Sequence, residues 1–418
     1  MDLSDDNLQA VSVLKCQTTR KQFFMSNDCN ALWGRGILFR LGRHSGHGEH
    51  CAETKGLDEM RSEAQLCETI QRFEESFWSK KKADRPPVGI YDERIYLPIQ
   101  FLRRPFTSGT VSPQDVTGQS VMTEYEYSFA HRAVSCDDFV AFSAAWRAVP
   151  WLEACCGCPV RYAEGSLAPQ HFVASVEDLA SLPIPAPNGW FECLGRETKR
   201  LEVQAPSDCY ISPSILRGPS DVLAAMRGID QFFLDLCEKP RVVATVAARV
   251  SRVLIDAVDL HYSLVKPKLA GFGHIFGYWA PGQTVVIQED AMGMCSPAMY
   301  RDIFMPCDAE VVRRLGEHVL FHLHSTGCKH YKHVLGIPGV AGLEVAMESI
   351  GPSLLDLVPV FREILEKSRL ILQVCTGFEQ LPEVLRKLPL EGLFLTIPDQ
   401  YIRSDEEFRQ FTQTNWRC

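Results

Sequence analysis

Basic charge is scarce in this sequence, long apolar runs are missing, and no nucleotide-binding fingerprint is present. Against 52 Asp and Glu the 418 residues carry 43 Lys and Arg, a formal charge of -9 with no long basic block. A nucleic-acid backbone finds little general attraction there, so nucleic acid is not an expected partner. The longest apolar stretch, 242–255, is interrupted by Arg249 and Arg252 before it reaches the roughly 18 to 20 residues of a membrane-spanning helix. Residues 1–7 are acidic and hold no apolar core of a secretory leader. These absences predict a soluble cytoplasmic protein with no membrane partner. Neither G-x-G-x-x-G after a strand nor G-x-x-x-x-G-K-S/T occurs, which leaves nicotinamide and P-loop phosphate chemistry without a motif. The 16 Cys are scattered without repeated spacing, as packed thiols are, and unlike a secreted disulfide scaffold. Cys155, Cys156 and Cys158 lack a second Cys/His pair at zinc-finger spacing.

What is present builds a core: 46% hydrophobic residues exclude wholesale disorder. Residues 1–62 show little periodicity and read as an N-terminal extension. Within it His44, His47, His50 and Cys51 lie in a glycine-rich stretch that is costly to order around a metal. From 63 to 418 a single barrel-like domain is expected. Leu66, Ile70, Phe73 and Phe77 recur at helical intervals before Pro86-Pro87. Strands are predicted at 88–91, 159–162, 209–211, 273–278, 319–324, 341–345, 370–375 and 393–397. Helices are predicted at 221–226, 241–258, 297–315, 353–367 and 378–387. Eight strands alternating with helices predict an α/β fold of TIM-type, a (β/α)8 barrel with inserted loops at 97–135 and 163–207. An open doubly wound sheet is the rival.

The sharpest local signal is His318, His322, His324, His330 and His333 within sixteen residues. On a strand His322 and His324 face the same side, opposite Phe321 and Leu323. A barrel places chemistry at strand C-termini, where His324 runs into Ser325-Thr326-Gly327. Cys375 and Gln288-Glu289-Asp290 end other strands or follow them, so His322, His324, Glu289 and Cys375 form a candidate metal set of zinc-binding types. Asp290 would orient His324 or exchange a proton. Asp92, with Glu93 and Arg94, follows the first strand and offers an acid or base and an anion anchor, with Arg103 and Arg104 nearby. Arg217, ahead of a helix that Ser220 or Asp221 can cap, would dock an anionic group. In 271–282, His274, Tyr278 and Trp279 would make a flat wall for an organic ligand. Each has an unreactive alternative: a satisfied barrel-interior histidine, a core thiol, a solvated cap, a salt bridge, a packed aromatic loop.

D-R-P-P-V-G at 84–89, P-W-L-E at 150–153 with G-C-P-V at 157–160, L-R-G-P-S-D at 216–221, W-A-P-G at 279–282, Q-E-D at 288–290, S-P at 296–297 and F-H-L-H-S-T-G at 321–327 occur in that order. Together they resemble the uroporphyrinogen decarboxylase superfamily over about residues 65 to 400. The resemblance implies a TIM-type barrel with a cleft at the strand C-termini. It also implies either cofactor-free decarboxylation of an acidic tetrapyrrole or zinc-dependent methyl transfer with a corrinoid protein or thiol. The methyltransferase branch has a His-x-Cys-Gly strand end and another Cys near the final strand. Here His324 matches the metal histidine, Thr326 stands where the thiolate would be, and the last strand ends Thr396-Ile397-Pro398-Asp399. The decarboxylase branch has Arg-Gln-Ala-Gly-Arg where this chain has Tyr91-Asp92-Glu93-Arg94, whose acids would repel a polycarboxylate.

The favoured expectation is a metal-assisted methyltransferase acting with a corrinoid or thiol methyl carrier. Zinc is the first choice of divalent metal, and Arg217 and Arg94 would hold an anionic or organic small molecule. The alternatives are metal-independent decarboxylation of a carboxylated substrate, needing no cofactor, and a non-catalytic barrel that binds a ligand or partner. Oligomeric state stays open.

Overall fold

The computed structural model describes residues 62–92, 109–116, 134–163 and 166–416; the expected N-terminal extension, with its histidines, lies outside the described residues except for Ser62. The chain folds as a mixed α/β protein around one six-stranded parallel sheet. In spatial order the strands are Val88–Tyr91, Leu393–Pro398, Leu370–Gln373, Val340–Ala346, His318–His324 and Thr284–Gln288. Near-continuous runs such as Leu393-Phe394-Leu395 and Val285-Val286-Ile287 suit this sheet, which is covered on both faces.

Among the described residues the parallel sheet holds six strands, where the sequence predicts eight. The stretch at 159–162 instead lies in a small antiparallel sheet of Gly109–Val111, Val160–Ala163 and Ser166–Pro169. Tyr210–Ile211 pairs in parallel with Phe142–Ser143. The predicted 273–278 strand becomes a tight hairpin between Phe272–Gly273 and Trp279–Ala280. Its glycines turn and pack the chain: Gly277 has φ +75°, and a Cβ on Gly273 would lie 2.6 Å from Tyr210. The place beside the His318–His324 strand goes to Thr284–Gln288, an apolar β-branched run followed by Gln. Both outer strands make one further backbone bond: Gly218 N–H donates to Gln288 O at 2.6 Å, and Asp138 N–H to Val88 O at 2.7 Å.

Strand alternation divides the core. Val285, Ile287, Phe321, Leu343, Val345 and Leu372 face the helices, including the long helix Pro240–Leu264 with its buried Val246, Val250 and Leu254. The other face carries Val286, Leu320, Ile371 and Phe394, sealed by Phe73, Phe77 and Trp78. Those three come from the wider π-turn Phe73–Trp78 that continues the helix Glu63–Arg72. Ser62 and Gln65 close a capping box at the helix start, and Phe73 meets Phe394 edge-on at 5.0 Å. The Arg369 guanidinium donates to the carbonyls of Phe77 and Trp78, tying this plug to the sheet. The predicted 297–315 helix contains a π-turn at Tyr300–Phe304 just before Pro306, whose missing N–H breaks the regular ladder there. Among the described residues no helix is long and apolar enough to cross a membrane.

Candidate metal centre

His322 and His324 emerge from the sealing layer at the C-terminal end of their strand, on the same face as Leu320. His322 is 3% exposed and lies opposite Glu344 in register. Its Nδ1 hydrogen-bonds the Glu344 carboxylate, which is wholly buried. His324 places Nδ1 3.1 Å from Glu348 Oε1. The two Nε2 atoms are 3.2 Å apart, and Asp290 Oδ1 lies 3.7 Å from that of His322 and 3.4 Å from that of His324. These donors form the one such metal-ligating group among the described residues.

Supporting contacts fix Asp290. Gln288 Nε2 donates to its Oδ2 at 2.8 Å. The Asp221 carboxylate accepts from the backbone N–H of Asp290 and of Ala291, at 3.1 and 2.6 Å. Burial, then the nearby Asp290 charge, pushes the Asp221 carboxyl up to about 8.

Proton accounting shows what this geometry calls for. An ionised carboxylate only accepts, so Glu344 and Glu348 assign the N–H of each imidazole to Nδ1. Neutral rings then turn bare Nε2 lone pairs towards each other and towards a carboxylate oxygen, an arrangement that needs a cation. Burial alone would lower the pKa of His324, but hydrogen bonds and charge from Asp290 and Glu348 outweigh it and hold it up at about 10. Asp290 is held below the usual carboxylate range, since its two histidines outweigh the effect of burial. A divalent ion satisfies the same three donors. Zinc bonds of about 2.0–2.1 Å set donor atoms of a tetrahedron about 3.3 Å apart, and the observed separations of 3.2, 3.4 and 3.7 Å bracket that value. An octahedral face at such bond lengths would need about 3.0 Å. The three donors are compatible with a bound metal ion, and carboxylates behind both histidines are a frequent support for metal-ligating imidazole.

Other expected site residues land elsewhere. Glu289 turns away from the group: just past the strand end Gln288 bonds Asp290, while Glu289 meets Ser220. Its carboxylate receives the Ser220 N–H at 2.8 Å and the Ser220 hydroxyl, at the start of helix Pro219–Arg227. A Cβ on Gly218 would come within 2.4 Å of its Oε1, which explains glycine there. Burial and the neighbouring Asp308 raise the Glu289 carboxyl well above its ordinary value. Cys375 is half-buried with Sγ 3.4 Å from Tyr91 Oη, outside the group of three. Asp92, half-buried after the first strand, is also outside it. Arg217 Nε lies 2.6 Å from Glu153 Oε1, so an acidic side chain already meets its charge. Arg94, with Glu93, Arg103 and Arg104, lies outside the described residues.

The aromatic wall takes another form. His274, Tyr278 and Trp279 are 2%, 0% and 3% exposed. His274 stacks between Phe276 and Tyr278, and burial lowers its pKa to about 3. Tyr278 Oη bonds Thr284 Oγ1 at 2.8 Å, and the Trp279 carbonyl accepts from Trp78 Nε1 at 2.6 Å. The ring at the metal group is Phe276, stacked on His322 at 5.7 Å. Thr326 turns outward and donates from Oγ1 to Glu348 Oε2 at 2.9 Å. Sequence reasoning missed Glu344, Glu348 and Phe276, and gave Gln288 no role of its own. Glu344 had a readable signal, since a carboxylate in the apolar run Gly342-Leu343-Glu344-Val345 needs a buried partner.

No protein-family model matches the chain, and no curated protein matches it either. In fold it is similar to a solved methyltransferase from Methanosarcina mazei, with a TM-score of 0.54 at 12% identity, covering 83% of this chain and 98% of that one. At that identity the likeness is one of fold.

Proposed function

We propose that this protein is a divalent-metal methyltransferase on a barrel-like α/β scaffold, moving a methyl group from a corrinoid or thiol carrier to a small-molecule acceptor. The metal part rests on one observation: two Nε2 atoms and Asp290 Oδ1 converge, with a carboxylate behind each ring. Likeness of fold to a methyltransferase supports the reaction class. The backbone bonds made by both outer strands of the sheet support a closed eight-membered barrel.

His322, His324 and Asp290 would hold the ion, zinc by donor type and spacing. When bound, it supplies Lewis acidity that makes a coordinated thiol or similar heteroatom nucleophilic at neutral pH. Glu344 and Glu348 keep the Nδ1 protons in place, so both rings present Nε2 without rearrangement. Phe276 shields one side of His322 from water. The open side passes Asp290, His324 and Glu348, whose side chains are 21%, 25% and 37% exposed. In the transfer, the carbon–carrier bond breaks with its electron pair left on the carrier. The acceptor's sulfur forms the new bond to carbon, and the thiol proton leaves to solvent. Decarboxylation relied on Arg94 and Arg217; Arg94 lies outside the described residues, and Arg217 faces Glu153, which lessens the support for it.

The test is metal content after purification, followed by loss of methyl from methylcobalamin in the presence of mercaptoethanol. One equivalent of zinc, lost in His324→Ala, with methyl transfer that needs the metal, is the expected result. A protein that binds no divalent metal under chelator-buffered titration refutes the proposal.

A further inference from the structure

On the open side of the metal group stands a carboxylate whose support of His324 leaves part of it facing solvent. Glu348 follows the Val340–Ala346 strand, is 37% exposed, and is held by His324 Nδ1 on Oε1 and Thr326 Oγ1 on Oε2. Each contact occupies one lone pair of an oxygen that has more to offer. A Cβ on Gly351, where φ is +105°, would lie 2.8 Å from Thr326 Cγ2, so this glycine keeps the loop close against the threonine. The carboxylate is thus placed by the Thr326 hydrogen bond, the ion-pair contact with His324 and a close-packed loop.

Among the described residues the side chains that meet the two histidines are acidic. A divalent ion would bring two positive charges to the carboxylates of Asp290, Glu344 and Glu348. Arg217, whose charge reaches Asp290 and Asp221, is matched by Glu153. A ligand binding as thiolate adds one more negative charge, and a second one on its tail would meet Glu348 in a partly dehydrated cleft.

We infer that the acceptor is a small thiol with a cationic or neutral tail, an aminothiol by preference, and that Glu348 is the specificity-determining residue that receives the tail. This rests on the metal reading above. The preference is electrostatic, and Gln in place of Glu348 keeps the carbonyl that His324 Nδ1 needs while removing the charge.

The experiment uses the full chain loaded with cobalt(II), whose visible spectrum reports thiolate coordination without turnover. Cysteamine, mercaptoethanol and mercaptoacetate are titrated in turn. Cysteamine is expected to bind about tenfold or more tighter than mercaptoacetate, with mercaptoethanol between them. In Glu348→Gln, loaded with enough cobalt to offset the weaker metal affinity expected of a residue that supports His324, that ratio should collapse towards one, which a purely structural role would not produce. Mercaptoacetate binding as tightly as cysteamine, or an unchanged ratio in the variant, overturns the assignment while the metal reading stands. Failure to take up cobalt overturns both.

Discussion

The two ends of one face of the sheet contrast sharply. At the N-terminal end Val286, Leu320, Ile371 and Phe394 are shut in by Phe73, Phe77 and Trp78. Two residues further along the same strands, and on the strand between them, the inward side chains are Gln288, His322, Glu344, Gln373 and Thr396, all buried. The first set stabilises by leaving water, at roughly 1.5–3 kcal/mol for each large side chain. The second loses hydration and recovers it only through partners, as Gln288 does with Asp290 and His322 with Glu344. The sealed end holds the strands in register, and the register in turn brings His322 opposite Glu344.

The contrast breaks most visibly in the sealed layer. Phe394→Ala should lower stability by about 3–5 kcal/mol in urea denaturation; a loss as large for metal binding, with stability unchanged, would show that the layers are not separate. At the open end, His324→Ala should weaken zinc affinity by more than about 100-fold in chelator competition, because a ligand is removed outright, while the urea midpoint of the metal-free protein shifts far less. Glu344→Gln is milder: about 10- to 100-fold in zinc affinity.

The subtlest effect is a pH dependence. In the metal-free protein His324 has its pKa raised from 6.5 to about 10. Its protonation therefore favours the folded state fully below pH 6.5, and that contribution fades as pH rises towards about 10. Urea titrations across this window should show falling stability in the wild type and a flatter profile in His324→Gln. A parallel profile in both would place the proton elsewhere.

The parity of His322 and His324 was legible, because period-two alternation is local and needs no partner. It does not separate Glu289 from Asp290, which lie just past the strand end and are told apart by their partners. Two β-rich runs, 273–278 and 284–288, compete in the sequence for one place. Pairing settled it: glycines at 273 and 277 bend the first run into a hairpin around Tyr210 and Phe139, while the second offers an uninterrupted row of β-branched side chains. The resemblance sets His324 at the metal histidine and Thr326 at the thiolate position; in this fold Thr326 faces Glu348, and the imidazole beside His324 is that of His322.

Composition and alternation alone determined an α/β chain with a parallel sheet and two histidines on one side of one strand. Tertiary structure decided which acid joins them, which glutamates stand behind them, and which aromatic residues are core. Periodicity encodes the direction of a side chain relative to its own strand, whereas a coordination site depends on distances between strands and loops that are far apart in sequence.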